Sequence, residues 1–388
     1  MDFEKNIEGK TVVKVVAGNA TEKAGNGAKF YDQIDGLRCL CVLGVLFQHF
    51  IDPRVAKYFY SANIGVDLFF LVSGFLITEI LINLKLKYPV GHALKVFYTR
   101  RILRIFPLYY LYWAILILFF YSQVKGSVTW GLLYAYNFYN IGHDEIPVAG
   151  HLWSLAVEEQ FYMVWPLVLM VVPYKYFKTC VLALLSGSLL FLLFYFNPAS
   201  YHYTYFHTFA CSVSLLTGAL LAYLKKEHAQ KLLQILPKLS LFPLLGLAGT
   251  FALCYLVAKQ YLGSGYLILI RLLVCVAGFY LVGRMAIKPF KGISGRFLLN
   301  PVVRYIGRIS YGIYIYHLLV FFTLYPYINS AFAKIFESSF FDSGIIKYIK
   351  YNNTFLKMPV YTIIVIGLAS LSYYLFEKRF LKLKNLFQ

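Results

Sequence analysis

Ionisable side chains occur inside apolar stretches of this sequence, where hydrocarbon makes them costly. Arg38 and His49 share one such stretch, and their separation of eleven residues is close to three whole helical turns. Both side chains therefore fall on one helix face, ~16 Å apart along the axis. Because an imidazole can hold and release a proton near neutral pH, His49 is a candidate general base. The alternative interpretation is an interfacial histidine and an arginine whose head reaches the membrane surface.

A second apolar stretch begins at His151 and contains two adjacent carboxylates. Offsets of seven and eleven residues place His151, Glu158 and Tyr162 on one helix face, with Glu159 turned away from it. Two carboxylates in an apolar helix are hard to explain by packing, so Glu158 is a candidate catalytic residue and Tyr162 a further candidate. The alternative is a structural partner for Arg271, which lies at similar depth in another apolar stretch.

Asp67 is the third carboxylate, and it lies near the start of an apolar stretch. It could pair with His49 and orient its ring, as a carboxylate does in a catalytic triad. Glu158 could do the same, and spacing does not choose between the two. Ser310 at the start of a later stretch and His317 near the middle of the membrane are further candidates, although a buried neutral histidine bonded to a neighbour explains His317 equally well.

Arg101 and Arg104 are i,i+3 neighbours, which places both guanidinium groups on one side of a helix. The pattern predicts a helix that starts near them, with two arginine forks at its N-terminus, an arrangement suited to phosphate groups. The alternative is an ordinary pair of basic anchors at the cytoplasmic membrane surface.

The composition indicates that these candidate residues belong to a membrane protein. Of 388 residues, 60% are hydrophobic and 14% charged, and the mean hydropathy is +0.64. These values exclude a soluble enzyme and a disordered chain. The net charge of +20 does not indicate a nucleic-acid partner, because the basic residues are scattered between apolar blocks and form no single patch. No metal-ligand spacing is present, so we expect no metal.

Apolar stretches long enough to span ~30 Å of hydrocarbon follow one another along the chain. The sequence predicts an all-α, polytopic transmembrane bundle of about ten helices, without a linker or a repeat. The predicted spans are residues 36–52, 64–84, 102–121, 152–172, 178–196, 206–224, 239–258, 264–285, 309–328 and 358–377.

The distribution of Lys and Arg predicts the orientation of the spans. With the N-terminus inside, 28 of the 37 basic residues fall on the inner side and 8 on the outer side. Both termini are therefore expected in the cytoplasm, with a polar N-terminal tail over 1–30 and a short tail over 381–388.

Five motifs in this order resemble the acyltransferase-3 family of integral membrane O-acyltransferases. The resemblance covers residues 31–380, read as one membrane acyltransferase domain. The motifs are Arg38-x10-His49, the Gly65-Val-Asp67-Leu-Phe-Phe-Leu-Val-Ser-Gly run, Arg101-x-x-Arg104-Ile-x-Pro107, the His151-Leu-Trp-Ser-Leu-Ala-Val-Glu158-Glu-Gln-Phe-Tyr162 run, and Gly307-x-x-Ser310-Tyr311-x-x-Tyr-x-x-His317.

The resemblance implies transfer of an acyl group, usually acetyl, from cytoplasmic acyl-CoA to a hydroxyl of a cell-envelope saccharide or a similar acceptor. The residues fit this chemistry: Arg101 and Arg104 would hold the phosphates of acyl-CoA, and Arg38 would steady the CoA entrance or the pantetheine arm. His49 is the candidate general base, and a covalent acyl-histidine is the less favoured alternative. The expected location is the bacterial cytoplasmic membrane. Some relatives carry a C-terminal extracytoplasmic hydrolase-like domain, which we do not expect here. The alternative function is a transporter or flippase for a lipid-linked sugar.

Overall fold

Ten long helices lie in the described part of the chain, and each overlaps one of the ten predicted stretches. The computed structural model describes residues 31–199, 202–336 and 354–383, and every regular element in these ranges is helical. The prediction of an all-α chain is confirmed. The ten helices are α1 (Asp32–Phe50), α2 (Ser61–Lys87), α3 (Val90–Val124), α4 (Leu152–Val171), α5 (Phe177–Phe194), α6 (Thr208–Ile235), α7 (Phe242–Ala258), α8 (Ile268–Ile287), α9 (Ser310–Ile335) and α10 (Thr354–Ser372).

Shorter helical elements connect several of these helices, and two of them follow α10. They are Pro53–Ala56, Val128–Leu132, Tyr136–Gly142, Tyr174–Tyr176, His202–Phe206, Leu236–Leu239, Ser264–Leu267, Gly292–Leu299, Pro301–Arg308, Tyr373–Glu377 and Lys378–Lys382.

Seven helices in the described part of the chain are long and apolar enough to cross a membrane. These are α2, α3, α5, α6, α8, α9 and α10, several with short flanking turns. The other three long helices are not among these seven. Helix α7 is shorter, with 17 residues, and α1 and α4 contain ionisable residues such as Arg38 and Glu158. The count of ten spans and the orientation of the termini stay predictions. The predicted tail over 1–30, and residues 384–388 of the other tail, lie outside the described residues.

Helix α2 lies at the centre of the packing and contacts α1, α3, α4, α6 and α8. Its backbone approaches α6 very closely at two glycines. A Cβ on Gly74 would lie 1.9 Å from the Leu215 carbonyl oxygen, and one on Gly218 would lie 2.0 Å from that of Leu71. Only glycine fits at such contacts. The glycines therefore hold α2 and α6 together as a scaffold for the polar residues of α2.

Helix α3 begins earlier than predicted. Its first residue is Val90, directly after Pro89, and it continues through Pro107 to Val124. No proline separates Val90 from the arginine pair, and Gly91 lies in the first turn, so the helix is already formed when it reaches Arg101. The prediction that Arg101 and Arg104 lie at a helix N-terminus is therefore wrong.

Candidate active site

Three histidines from different parts of the chain meet inside the bundle. His49 comes from the end of α1, His151 from the residue before α4, and His317 from the N-terminal third of α9. The His317 ring centroid lies 4.9 Å from that of His49 and 4.8 Å from that of His151. His317 is 0% exposed, His151 is also buried, and His49 is half-buried. We call these three residues the histidine cluster.

Each ring of the histidine cluster is hydrogen-bonded to a backbone carbonyl. Nδ1 of His49 lies 2.9 Å from the Val45 oxygen, one helical turn back on α1. On α9, the Tyr314 oxygen lies 2.6 Å from Nδ1 of His317, and the Ile315 oxygen lies 3.0 Å from Nε2 of His151. These bonds fix the orientation of all three rings.

Glu158 belongs to a second group of polar residues. It lies two helical turns beyond His151 on α4, ~10 Å along the axis. Ser73 of α2 donates a hydrogen bond of 2.7 Å to its Oε1. Arg38 and Arg101 both lie within electrostatic reach of the Glu158 carboxylate. The alternative interpretation, a structural pairing of this carboxylate with Arg271, is wrong, because Arg271 forms its ion pair with Asp67.

The arginines of this second group come from α1 and α3. The Arg101 guanidinium lies over the rings of Tyr162 and Phe97, at 5.6 Å and 5.7 Å from their centroids. Arg38 and Arg101 each interact electrostatically with Arg104. We call Arg38, Arg101 and Arg104 the arginine cluster. It brings together the three arginines singled out from the sequence and places Tyr162 against one of them.

Asp67 does not join the histidine cluster. Its Oδ1 accepts a hydrogen bond of 2.8 Å from Nε of Arg271 on α8 and one of 3.1 Å from the Ser214 hydroxyl of α6. The side chains of Asp67 and Arg271 are at most 1% exposed. The expected contact of Asp67 with His49 is thus replaced by an ion pair, because a buried arginine needs an opposite charge.

The remaining candidates are His317 and Ser310, and they lie apart from each other. His317 is the central member of the histidine cluster. Ser310 is buried at the first position of α9, seven residues or ~10 Å before His317, too far for contact with that ring.

Sequence reasoning missed two residues of this region. His151 was placed on the face of Glu158 but not in contact with His49 and His317. Ser73 was not recognised as the partner of Glu158. Both lie inside the motifs already described, so the signal was present, but helical periodicity does not show which side chains meet across different helices.

The described residues contain no group of three or more His, Cys, Asp or Glu arranged to hold a metal ion. The histidine cluster thus has a different geometry from a three-histidine metal centre.

A family model described as an acyltransferase domain matches residues 31–374. The chain belongs to this acyltransferase family. The resemblance inferred from the motifs is therefore confirmed. Family membership and the seven apolar helices identify this acyltransferase-family chain as a membrane protein.

Two bacterial proteins of the same family illustrate the similarity. Peptidoglycan O-acetyltransferase OatA of Listeria monocytogenes is 31% identical over 315 residues, which are 74% of this chain and 49% of that protein. O-acetyltransferase OatA of Staphylococcus aureus is 26% identical over 335 residues, 79% of this chain and 52% of that protein. The acyltransferase-family chain spans about half the length of these relatives. No solved structure matches it significantly.

Proposed function

We propose that this protein transfers an acetyl group from acetyl-CoA to a hydroxyl of a cell-envelope saccharide. The observation that carries the proposal is that one helix joins the two clusters. Helix α1 contributes Arg38 to the arginine cluster and His49 to the histidine cluster, ~16 Å apart along its axis. This separation is comparable to the length of a pantetheine arm, so a donor bound at the arginines would present its thioester to His49.

The arginine cluster is the proposed site for the donor's phosphates. Within the described residues, no acid lies within ion-pair distance of Arg101 or Arg104, whereas Arg38 lies 3.8 Å from Asp35 and Arg271 lies 2.8 Å from Asp67. Cations without an acidic partner favour binding of an anion, and guanidinium forks match the geometry of phosphate oxygens. Glu158 and Tyr162 contact or face these arginines and are proposed to hold them in place.

His49 is the proposed general base. Its Nε2 accepts the proton of the acceptor hydroxyl while the hydroxyl oxygen forms a bond to the thioester carbonyl carbon. The carbon–sulfur bond then breaks, and the proton passes from Nε2 to the leaving thiolate. The products are an acetyl ester and CoA thiol, with no net gain or loss of protons.

The proposed acceptor follows from the relatives. One of them is named as a peptidoglycan O-acetyltransferase. A hydroxyl of an envelope saccharide is consistent with that name and with the proposed position of His49 beyond the membrane midplane on the outer side. The proposed topology has ten spans and both termini in the cytoplasm, in agreement with the 28 basic residues on the inner side.

The test uses the purified full chain in detergent or nanodiscs with radiolabelled acetyl-CoA and a saccharide acceptor. We expect acceptor-dependent release of CoA thiol and a labelled ester. The His49→Ala variant should lose at least 100-fold in kcat, the scale of a removed general base. Transfer near the wild-type rate in this variant would eliminate the role of His49, and absence of acetyl transfer by the wild-type chain would eliminate the proposed reaction.

A further inference from the structure

The hydrogen bonds of the histidine cluster determine which ring nitrogens carry a proton. A carbonyl oxygen only accepts, so the ring nitrogen bonded to it must be the donor. The neutral rings are therefore protonated at Nδ1 in His49 and His317 and at Nε2 in His151. The other nitrogen of each ring is a hydrogen-bond acceptor. No ring of the cluster has a second N–H to offer to the other two.

Two of these acceptor nitrogens are buried without a partner. In the described part of the chain, Nδ1 of His151 and Nε2 of His317 have no hydrogen-bond donor. Unpartnered buried polar atoms are rare in folded proteins and call for a functional explanation. Here, the two unpartnered nitrogens belong to neighbouring rings. The His317 ring contacts both the His49 ring and the His151 ring.

Among the residues that the structure describes, no carboxylate forms the hydrogen bond to His49 that a catalytic triad would provide. The hydrogen bond of its Nδ1 goes to Val45, and Asp67 is bonded to Arg271 and Ser214. A base that takes up a proton needs a neighbour to stabilise the resulting charge. A neutral imidazole provides an electron-rich ring face and an unshared electron pair, and both attract a cation.

We propose that His317, which packs against the His49 ring, and His151, which packs against His317, are positioning residues that stabilise the positive charge of His49 while it carries the hydroxyl proton. The inference rests on the proposed general-base role of His49. During transfer, the proton moves from the acceptor hydroxyl to Nε2 of His49 as the new carbon–oxygen bond forms. It leaves Nε2 for the CoA thiolate when the carbon–sulfur bond breaks. His317 and His151 stay neutral throughout, because a second positive charge at this distance is disfavoured.

The first test separates the contribution of the aromatic ring of His317 from that of its acceptor nitrogen. His317→Phe keeps an aromatic ring but removes the acceptor, whereas His317→Gln keeps an acceptor oxygen. We expect kcat to fall at least tenfold in His317→Phe, with an unchanged KM for acetyl-CoA, and to recover by severalfold in His317→Gln. His92→Gln, at an exposed histidine near the start of α3, is the matched control and should behave as wild type. Equal kcat in wild type and His317→Phe would overturn the inference, as would equal losses in His317→Phe and His317→Gln.

The second test reads the tautomers directly, without any substitution that could prevent folding. Nitrogen NMR of the histidine-labelled full chain should show Nδ1–H for His49 and His317 and Nε2–H for His151. An Nε2–H form of His317 in the wild-type chain would overturn the inference. If His49→Ala retains acetyl transfer, the general-base role fails together with this inference. If His49→Ala is inactive and His317→Phe is fully active, only this inference fails.

Discussion

The buried ion pair of Asp67 and Arg271 and the histidine cluster differ in the charges of the side chains that they bring together. Asp67 and Arg271 join opposite charges from α2 and α8, and the Arg271 guanidinium also lies 4.7 Å from the centroid of the Tyr205 ring. The histidine cluster joins three like groups, none of which gains an attractive charge from the others. The ion pair links helices of the bundle, whereas grouping three imidazoles brings no comparable stabilisation. Their grouping is thus better explained by chemistry than by stability.

The largest effect is expected from breaking the ion pair. Asp67→Ala leaves Arg271 charged and unpaired in the interior, which should cost about 3–5 kcal/mol of stability. Thermal unfolding in detergent measures this loss. The double variant Asp67→Leu with Arg271→Met should regain most of the stability, because it removes both charges. His49→Ala should unfold near the wild-type temperature. If His49→Ala unfolds at as low a temperature as Asp67→Ala, the histidine cluster stabilises the fold as much as the ion pair does, contrary to this prediction.

A second prediction contrasts paired and unpaired arginines. The double variant Arg101→Ala with Arg104→Ala should raise the KM for acetyl-CoA roughly 10- to 100-fold, the scale of one or two lost charged hydrogen bonds. Its unfolding temperature should change little, unlike that of an Arg271 variant. Arg100→Ala tests the neighbouring position as a control and should leave KM unchanged. An unaltered KM in the double variant would contradict phosphate binding at these arginines.

A third prediction concerns the link between α2 and α4. Ser73→Ala removes the 2.7 Å hydrogen bond to Glu158 and frees that carboxylate among the arginines. We expect a rise of severalfold in the KM for acetyl-CoA, consistent with about 1 kcal/mol for one hydrogen bond. Steady-state kinetics measures it. Ser188→Ala, at a buried serine of α5, is the control, and an equal effect in both variants would argue against a specific role of Ser73.

The smallest effect is expected at the exposed ion pair of Asp52 and Arg54, between α1 and α2. The Arg54 guanidinium donates hydrogen bonds to Asp52 and holds the pKa of that carboxyl below its usual range. Any stabilisation is therefore present at neutral pH and is lost as the pH falls through this lowered pKa. Because solvent screens the pair, Asp52→Asn should leave the unfolding temperature at pH 7 within experimental error. A clear decrease would show that exposed ion pairs matter in this protein.

The sequence predicted the helices well because apolar stretches of membrane length leave few other structures. It also singled out Arg38, His49, Arg101, Arg104, Glu158 and His317 as candidates, since ionisable residues stand out in apolar surroundings, and their roles stay predictions. It did not predict their partners. The ion pair between Asp67 and Arg271 depends on the packing of α2 against α8. The start of α3 at Val90 depends on the residues before the apolar stretch, which continue the same helix. Neither follows from spacing within one stretch.

Helix α4 sets the spacing between the two polar groups. His151 precedes its first turn, and Glu158 lies two turns farther along the same helix. The Tyr314 hydroxyl of α9 donates a hydrogen bond to the His151 carbonyl, which ties this end of α4 to α9, and the Ser154 hydroxyl donates a second one from within α4. The separation of Glu158 from the histidine cluster is therefore determined by the length of one continuous helix.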